Sequence, residues 1–215
     1  MKRSYPISLV LEGQNCLVIG GGRIAERKIT SLLHAGAGVR VIAAEVVEAV
    51  RQLAEDGLIE LKIRKYAPDD LDGAFLVIVA TNNSELNREI SEECRHRGLL
   101  VNVVDQPALC SFYVPAVIER GPVNITISTS AASPALSKHL RVILEDVVGE
   151  EYGLLSNLMN DLRGEVIAAY DRQEQRAEAW NRLLASDILI LLKNNEITRA
   201  KAYAREVMEL PPSFD

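Results

Sequence analysis

The run Cys16-Leu17-Val18-Ile19 passes through Gly20-Gly21-Gly22 into Arg23-Ile24-Ala25, and few folds can use residues in that order. Four consecutive apolar residues suit a short strand buried on both faces. Beyond the glycines, Ile24, Ile29, Leu32 and Leu33 return at helical spacing. Strand, glycine turn and helix together form the Gly-x-Gly-x-x-Gly/Ala arrangement of a dinucleotide-binding turn. Gly20 permits the tight turn, Gly22 lets the backbone approach a pyrophosphate, and Ala25 is small enough for the helix to pack closely on the strand. The first helical N–H groups and the positive end of the helix dipole then face the phosphates. The plainer alternative is a tight turn opening a helix in some other α/β protein.

Strands and helices continue to alternate. Residues 39–43 read as a second strand, 46–54 as a helix, 58–63 as a third strand, and 75–80, apolar throughout, as a fourth. Asn82-Asn83-Ser84 offers capping side chains to a helix on which Leu86, Ile90 and Cys94 recur every four residues. Residues 99–104 supply a fifth strand. Alternating units of this length imply a parallel, doubly wound Rossmann-type sheet with ligands at the carboxyl ends of its strands.

The pattern changes after Asp105. Residues 111–118 and 123–128 read as two strands joined by Glu119-Arg120-Gly121-Pro122, and Ser133-Pro134 opens a helix as cap and first residue. Leu136, Leu140, Ile143, Leu144 and Val147 place an apolar stripe on that helix. Such an appendix cannot bury both its faces alone, which makes it a natural dimer element. From residue 150 onward the pattern is helical. The expected organisation is α/β: a dinucleotide-binding domain over 1–111, a dimerisation segment over 112–149 and a small helical domain over 150–215.

The formal net charge of −6 and an aromatic content of 5% argue against a nucleic-acid binder. The three cysteines are far apart and form no Cys-x-x-Cys pair, so neither a disulfide scaffold nor a thiolate zinc site is expected. No His, Glu and Cys set has metal-ligand spacing. No run is apolar over a length that crosses a bilayer, and the expected location is a reducing cytoplasm without membrane contact.

Polar residues at strand ends are the candidates for chemistry. Glu45 could bind the adenosine ribose, with the Ala44–Glu45 backbone as the alternative contact; its other role is an acid at a helix N-terminus. The absence of an adjacent Arg favours NAD over NADP. Thr81 and Asn82 should pass near the nicotinamide, cap the next helix, or do both. Asp105, after Asn102-Val103-Val104, could accept a proton as hydride leaves a neighbouring carbon, or could simply shape the turn before Pro107. Lys65, Arg120, Lys138 and Arg141 are scattered positives of the kind that usually form solvated faces; Arg120, Lys138 and Arg141 could instead line a basic pocket, and Ser128-Thr129-Ser130 before the Ser133 helix is a plausible anion cradle.

These residues are similar to three ordered blocks of the precorrin-2 dehydrogenase/sirohydrochlorin ferrochelatase family. The first is Gly20 to Lys28. The second is Val101 to Asp105 with Cys110-Ser111-Phe112 and Pro115-Ala116. The third is Ile127-Ser128-Thr129 through Ser133-Pro134-Ala135-Leu136 and Arg141. The resemblance covers essentially the whole chain. It implies NAD-dependent oxidation of the tetrapyrrole precorrin-2 to sirohydrochlorin, on the way to sirohaem or cobalamin, by a homodimer with an interlocked middle region. Some members also insert metal, which would make ferrous or cobaltous ion a further substrate. By the same matching, Asp105 is the residue most tied to catalysis, and Arg23-Ile24 and Ala44-Glu45 fall at NAD-contact positions. Asn102, Arg120, Ser128, Thr129, Ser133, Lys138 and Arg141 are the candidates for holding substrate.

Two departures stand out. Many members carry glycine where this chain has Ser130-Ala131-Ala132, so the loop is bulkier here, and a regulatory phosphorylated serine of some members, which aligns near Thr129, does not carry over securely. Fused members continue into a methyltransferase, so methylation is not expected of this sequence. An NAD-sensing regulatory module is the alternative reading, although such modules usually place an acid right at the end of the second strand, where Ala43-Ala44 stands. A degenerate structural subunit would predict loss of Asp105 or of the glycine turn.

Overall fold

A computed structural model describes residues 4–211. They divide into two compact units, one up to residue 114 and one from residue 115.

The first unit is a doubly wound α/β sheet. Its elements are β1 (Asn15–Ile19), α1 (Arg23–His34), β2 (Gly38–Ala43), α2 (Glu48–Glu55), β3 (Ile59–Ile63), β4 (Leu76–Val79), α3 (Ser84–His96) and β5 (Leu100–Val103). All five strands are parallel, in the order β3-β2-β1-β4-β5. The chain winds outward from β1 in both directions, so the switch point lies between β1 and β4, where ligands bind in such sheets.

Both faces of the sheet are covered. Ala25, Ile29 and Leu32 of α1 pack with Val18, Val41 and Ile78, while Ile90 and Cys94 of α3 pack with Leu17, Val77 and Val101 on the other face. Each fully buried Val, Leu or Ile contributes roughly 1.5–3 kcal/mol. This two-sided burial explains why the strands are apolar at successive positions rather than at alternate ones.

The second unit opens with the antiparallel hairpin β6 (Ala116–Arg120) and β7 (Val123–Ile127) and continues through α4 (Pro134–Val147), α5 (Glu151–Ala169), α6 (Gln173–Leu184), α7 (Ile188–Lys193) and α8 (Ile197–Val207). Leu155, Leu158, Leu162, Leu183, Ile188 and Leu192 form its core with Ala200, Ala204 and Met208.

Three local expectations shift. The strand expected from Ser111 begins only at Ala116, because Pro115 lacks an N–H and cannot enter a ladder. The four-residue turn shrinks to two, since Arg120 pairs with Val123 and Gly121 takes φ +54. The helix expected from residue 46 starts at Glu48, because the loop before it packs against the glycine turn.

The middle segment and the helical region, separated at 149/150 in the sequence reading, fall within the same unit. The reason is visible at Gly153 of α5, where a Cβ would stand 2.5 Å from the Arg120 carbonyl oxygen. Only a glycine lets α5 approach the hairpin so closely.

Candidate functional site

A cleft of about 870 Å³ opens at the carboxyl ends of β1, β2 and β4. The glycine turn forms its floor, and each glycine has a different reason to be there. Gly20 takes φ +121, and a Cβ on it would lie 2.3 Å from the Ala80 carbonyl oxygen. Gly21 would drive a Cβ to 2.4 Å from the Glu45 carbonyl oxygen, and its own carbonyl accepts the Val47 N–H at 2.9 Å. Around Gly22 no protein atom lies within 4 Å of a Cβ position. The backbone is therefore bare where it faces the cleft. Gly22 is also the cap of α1 and has no side chain to satisfy the first-turn N–H groups, which an anion can do instead. The residues present suit a dinucleotide pyrophosphate.

Gly20, Gly22, Arg23, Ile24, Ala44, Glu45, Thr81 and Asn82 all line this cleft. Ala25 does not: it is fully buried beneath α1 and serves the packing. The Thr81 hydroxyl lies 2.5 Å from Asn87 Oδ1, and Asn87 Nδ2 donates to the Thr81 carbonyl at 3.1 Å. Asn87, buried on α3, thus fixes the turn that presents Thr81, a role its place on a polar-looking helix did not reveal. Asn83 is the cap of α3, its side chain accepting from the N–H groups of Glu85 and Leu86.

The sequence places no Arg beside Glu45, yet the fold brings two cations to the lining. Arg64 and Lys65 follow β3, the parallel neighbour of β2, and both face the cleft. The Arg64 guanidinium forks onto Asp70, with Nη1–Oδ2 at 2.7 Å and Nη2–Oδ1 at 2.5 Å. That fork holds the Asp70 carboxyl below its usual range, and the Ala67 N–H helps. Tyr66 lines the same wall, and burial pushes its phenol up to about 12.

Asp105 stands just past β5, outside the lining of this cleft. Pairing runs one residue beyond the strand, the Val104 N–H donating to Val79 at 2.9 Å, and Asp105 then turns out to solvent at φ +58. A non-glycine residue in the left-handed region is uncommon, though Asp tolerates it better than most. The loop behind it is firmly braced. Ser91 donates to the Leu109 carbonyl at 2.7 Å and Arg95 to that of Ala108 at 2.9 Å. The Cys110 thiol sits 3.2 Å from both N and O of Val103. Asn102, expected to face substrate, is buried in this bracing and donates to the Phe112 carbonyl at 3.0 Å.

The remaining candidates lie in the second unit. Arg120 caps the end of α4, donating to Val148 at 2.9 Å and Glu145 at 3.4 Å. Arg141 pairs with Glu145 at 2.6 Å, while Lys138 is exposed. Ser133 caps α4 through the Leu136 N–H, and Thr129 accepts the Ser133 N–H. Ser128 accepts the Ser130 N–H. These hydroxyls thus fasten the loop to itself.

A family described as "Putative NAD(P)-binding" matches residues 7–116. The chain belongs to this NAD(P)-binding family. The matched region holds the whole parallel sheet and the cleft.

Over most of its length the chain is similar to the siroheme synthase of Methylococcus capsulatus, 41% identical over 179 residues, which are 83% of this chain and 38% of that protein. It is also similar to the siroheme synthase of Nitrosospira multiformis, 34% identical over 208 residues, 95% of this chain and 44% of that one. The chain therefore spans about two-fifths of the length of these curated relatives. Among solved structures it resembles SirC, a precorrin-2 dehydrogenase, with a TM-score of 0.76 and 26% identity, covering 93% of this chain and all of that one. The resemblance carried by the three sequence blocks holds over most of this NAD(P)-binding chain. No helix among the described residues is long and apolar enough to cross a membrane.

Proposed function

We propose that this protein oxidises precorrin-2 to sirohydrochlorin with NAD, in a reducing cytoplasm. The observation that carries the reading is the bare glycine floor of the cleft, with Asp105 displayed just beyond β5 of the same sheet. The chemistry that NAD would supply here is acceptance of a hydride from a carbon of the macrocycle. The glycine turn and the Arg23–Ile24 start of α1 would hold the pyrophosphate, Ala44–Glu45 the ribose, and Thr81–Asn82 the nicotinamide end. Asp105 takes the proton released as the new double bond forms, so substrate loses two hydrogens, one as hydride and one as proton. Its braced loop fixes the backbone from which the carboxylate projects, and holding the substrate against it makes the catalysis chiefly one of positioning.

Precorrin-2 carries many carboxylates. In the second unit, exposed Lys138, the Arg141–Glu145 pair and the Ser128–Ser133 loop at the α4 N-terminus are the groups proposed to hold them. Arg120 is proposed to support that end of the fold through its cap on α4. The chain is proposed to work as a homodimer through α4, on which Leu136, Leu140, Ile143 and Val147 are 47%, 36%, 46% and 64% exposed. A Leu140→Glu variant should then run as a monomer in light scattering; an unchanged dimer would remove α4 from the interface.

The deciding assay is anaerobic, with purified protein, precorrin-2 and NAD, followed by ferrous or cobaltous ion. NADH and sirohydrochlorin should form together, and metallation faster than without protein would add metal insertion to the activity. Binding of NAD without NADH formation would replace the enzyme with a sensor.

A further inference from the structure

We infer that Lys65 is a recognition element for a 2′-phosphate, so that the cleft admits phosphorylated as well as unphosphorylated dinucleotide, with Glu45 and Lys65 setting the balance. The inference rests on reading the cleft as a dinucleotide site.

The register of the sheet places the two side chains together. Ala43 at the end of β2 is level with Ile63 at the end of β3, and the Arg64 N–H donates to the Ala43 carbonyl at 2.9 Å. Residues 64–65 thus leave the sheet beside residues 44–45, and all four line the cleft. A ribose held by Ala44–Glu45 would lie beside residues 64–65.

Arg64 is not the cation available there. Its fork is taken by Asp70, and Nη1 also donates to the Lys65 carbonyl at 3.0 Å. Arg64 therefore works as a clamp that fixes the backbone of its neighbour. Lys65 is exposed and makes no ion pair among the described residues, so its ammonium is the uncompensated charge beside residues 44–45, while Arg23, the other unpaired cation of the lining, stands at the start of α1. Glu45 is the opposing carboxylate; the other acids in the lining, Glu85 and Glu89, belong to α3. A carboxylate accepts from a free 2′-hydroxyl and repels a phosphate, whereas an ammonium does the reverse. One of each gives a site with little discrimination.

The test is direct binding to the full chain without tetrapyrrole, by calorimetric titration of NAD, NADP, adenosine 5′-monophosphate and adenosine 2′,5′-bisphosphate. Wild-type protein should bind NADP within about tenfold of NAD. Lys65→Ala should weaken NADP and the bisphosphate about tenfold, the size of one charge-assisted hydrogen bond, and leave NAD and the monophosphate within about twofold. Glu45→Gln should strengthen NADP relative to NAD. Lys65 is exposed, so its variants should fold, and circular dichroism checks this. Equal NADP affinity in wild type and Lys65→Ala, with NAD binding intact, would overturn the inference alone. Failure of wild type to bind either dinucleotide would overturn the reading of the cleft and this inference with it.

Discussion

Residues 20–22 carry β1 into α1, and residues 128–133 carry β7 into α4; both are turns that open a long helix, yet their residues differ. In the first, Gly20 takes φ +121, and neighbouring backbone leaves no room for a Cβ at Gly20 or Gly21. In the second, the Ala132 N–H donates to the Thr129 carbonyl at 2.9 Å, closing a turn whose central residues, Ser130 and Ala131, lie at φ +52 and +62. Two consecutive left-handed residues ordinarily call for glycine, and neither is one. Strain of about 1–2 kcal/mol per residue is carried there by the surrounding bonds of Ser128, Thr129 and Ser133. One turn has glycine because its neighbours demand it. The other lacks glycine although its own backbone would favour it.

The largest effect should come from crowding the first turn. Gly20→Val or Gly21→Val puts side-chain atoms 2.3 and 2.4 Å from backbone oxygens, so that backbone itself would have to shift. A loss of about 3 kcal/mol or more is expected in chemical unfolding. A variant within about 1 kcal/mol of wild type would show that the approach of residues 45 and 80 is not what selects glycine.

Asp105 provides a third left-handed residue, this time with a proposed chemical role. Asp105→Gly should keep or raise stability, by up to about 1 kcal/mol, because the strain at φ +58 is relieved. Asp105→Asn should leave stability nearly unchanged, since Asn also tolerates this region. Both should lower sirohydrochlorin formation about 10²–10⁴-fold, the usual worth of a positioned base. Substantial turnover in Asp105→Asn would leave Asp105 with the turn alone.

What could be read in advance follows the same division. The glycine turn was legible because residue type encodes its geometry, and the strands of the sheet because burial on both faces makes them apolar throughout. That Arg64 and Lys65 join the cleft was not legible: they stand nineteen and twenty residues beyond Glu45, and only the β2–β3 pairing makes them its neighbours. Asn87 carries no local signal of its bonds to Thr81. Residues 111–115 looked like strand because the apolar pattern outweighed Pro115. The Ser130-Ala131 departure was visible as added bulk, but its left-handed backbone has no signature in the residue types.

Relieving the second turn should have a smaller effect of opposite sign. Ser130→Gly and Ala131→Gly should each stabilise by about 0.5–1 kcal/mol, the strain released being partly offset by the freer unfolded chain. Unfolding midpoints would check this. A loss of stability in both variants would mean that the surrounding hydrogen bonds, rather than the residues' own conformations, set the cost of the loop.

The smallest stability effect is expected at Gly22, and it separates the two reasons for glycine within one turn. Its φ is −82, which any residue adopts, and a Cβ there meets no protein atom. Gly22→Ala should therefore alter stability by no more than about 0.5 kcal/mol, the weaker cap being offset by a less flexible unfolded chain. The new methyl group would still project into the cleft where the pyrophosphate is placed. NAD affinity should fall about tenfold or more while the thermal midpoint barely moves, and titration beside a melting curve reads both. Unaltered NAD affinity in a fully folded variant would mean that the dinucleotide does not cross Gly22. The bare floor of the cleft would then need another explanation than close approach of a phosphate.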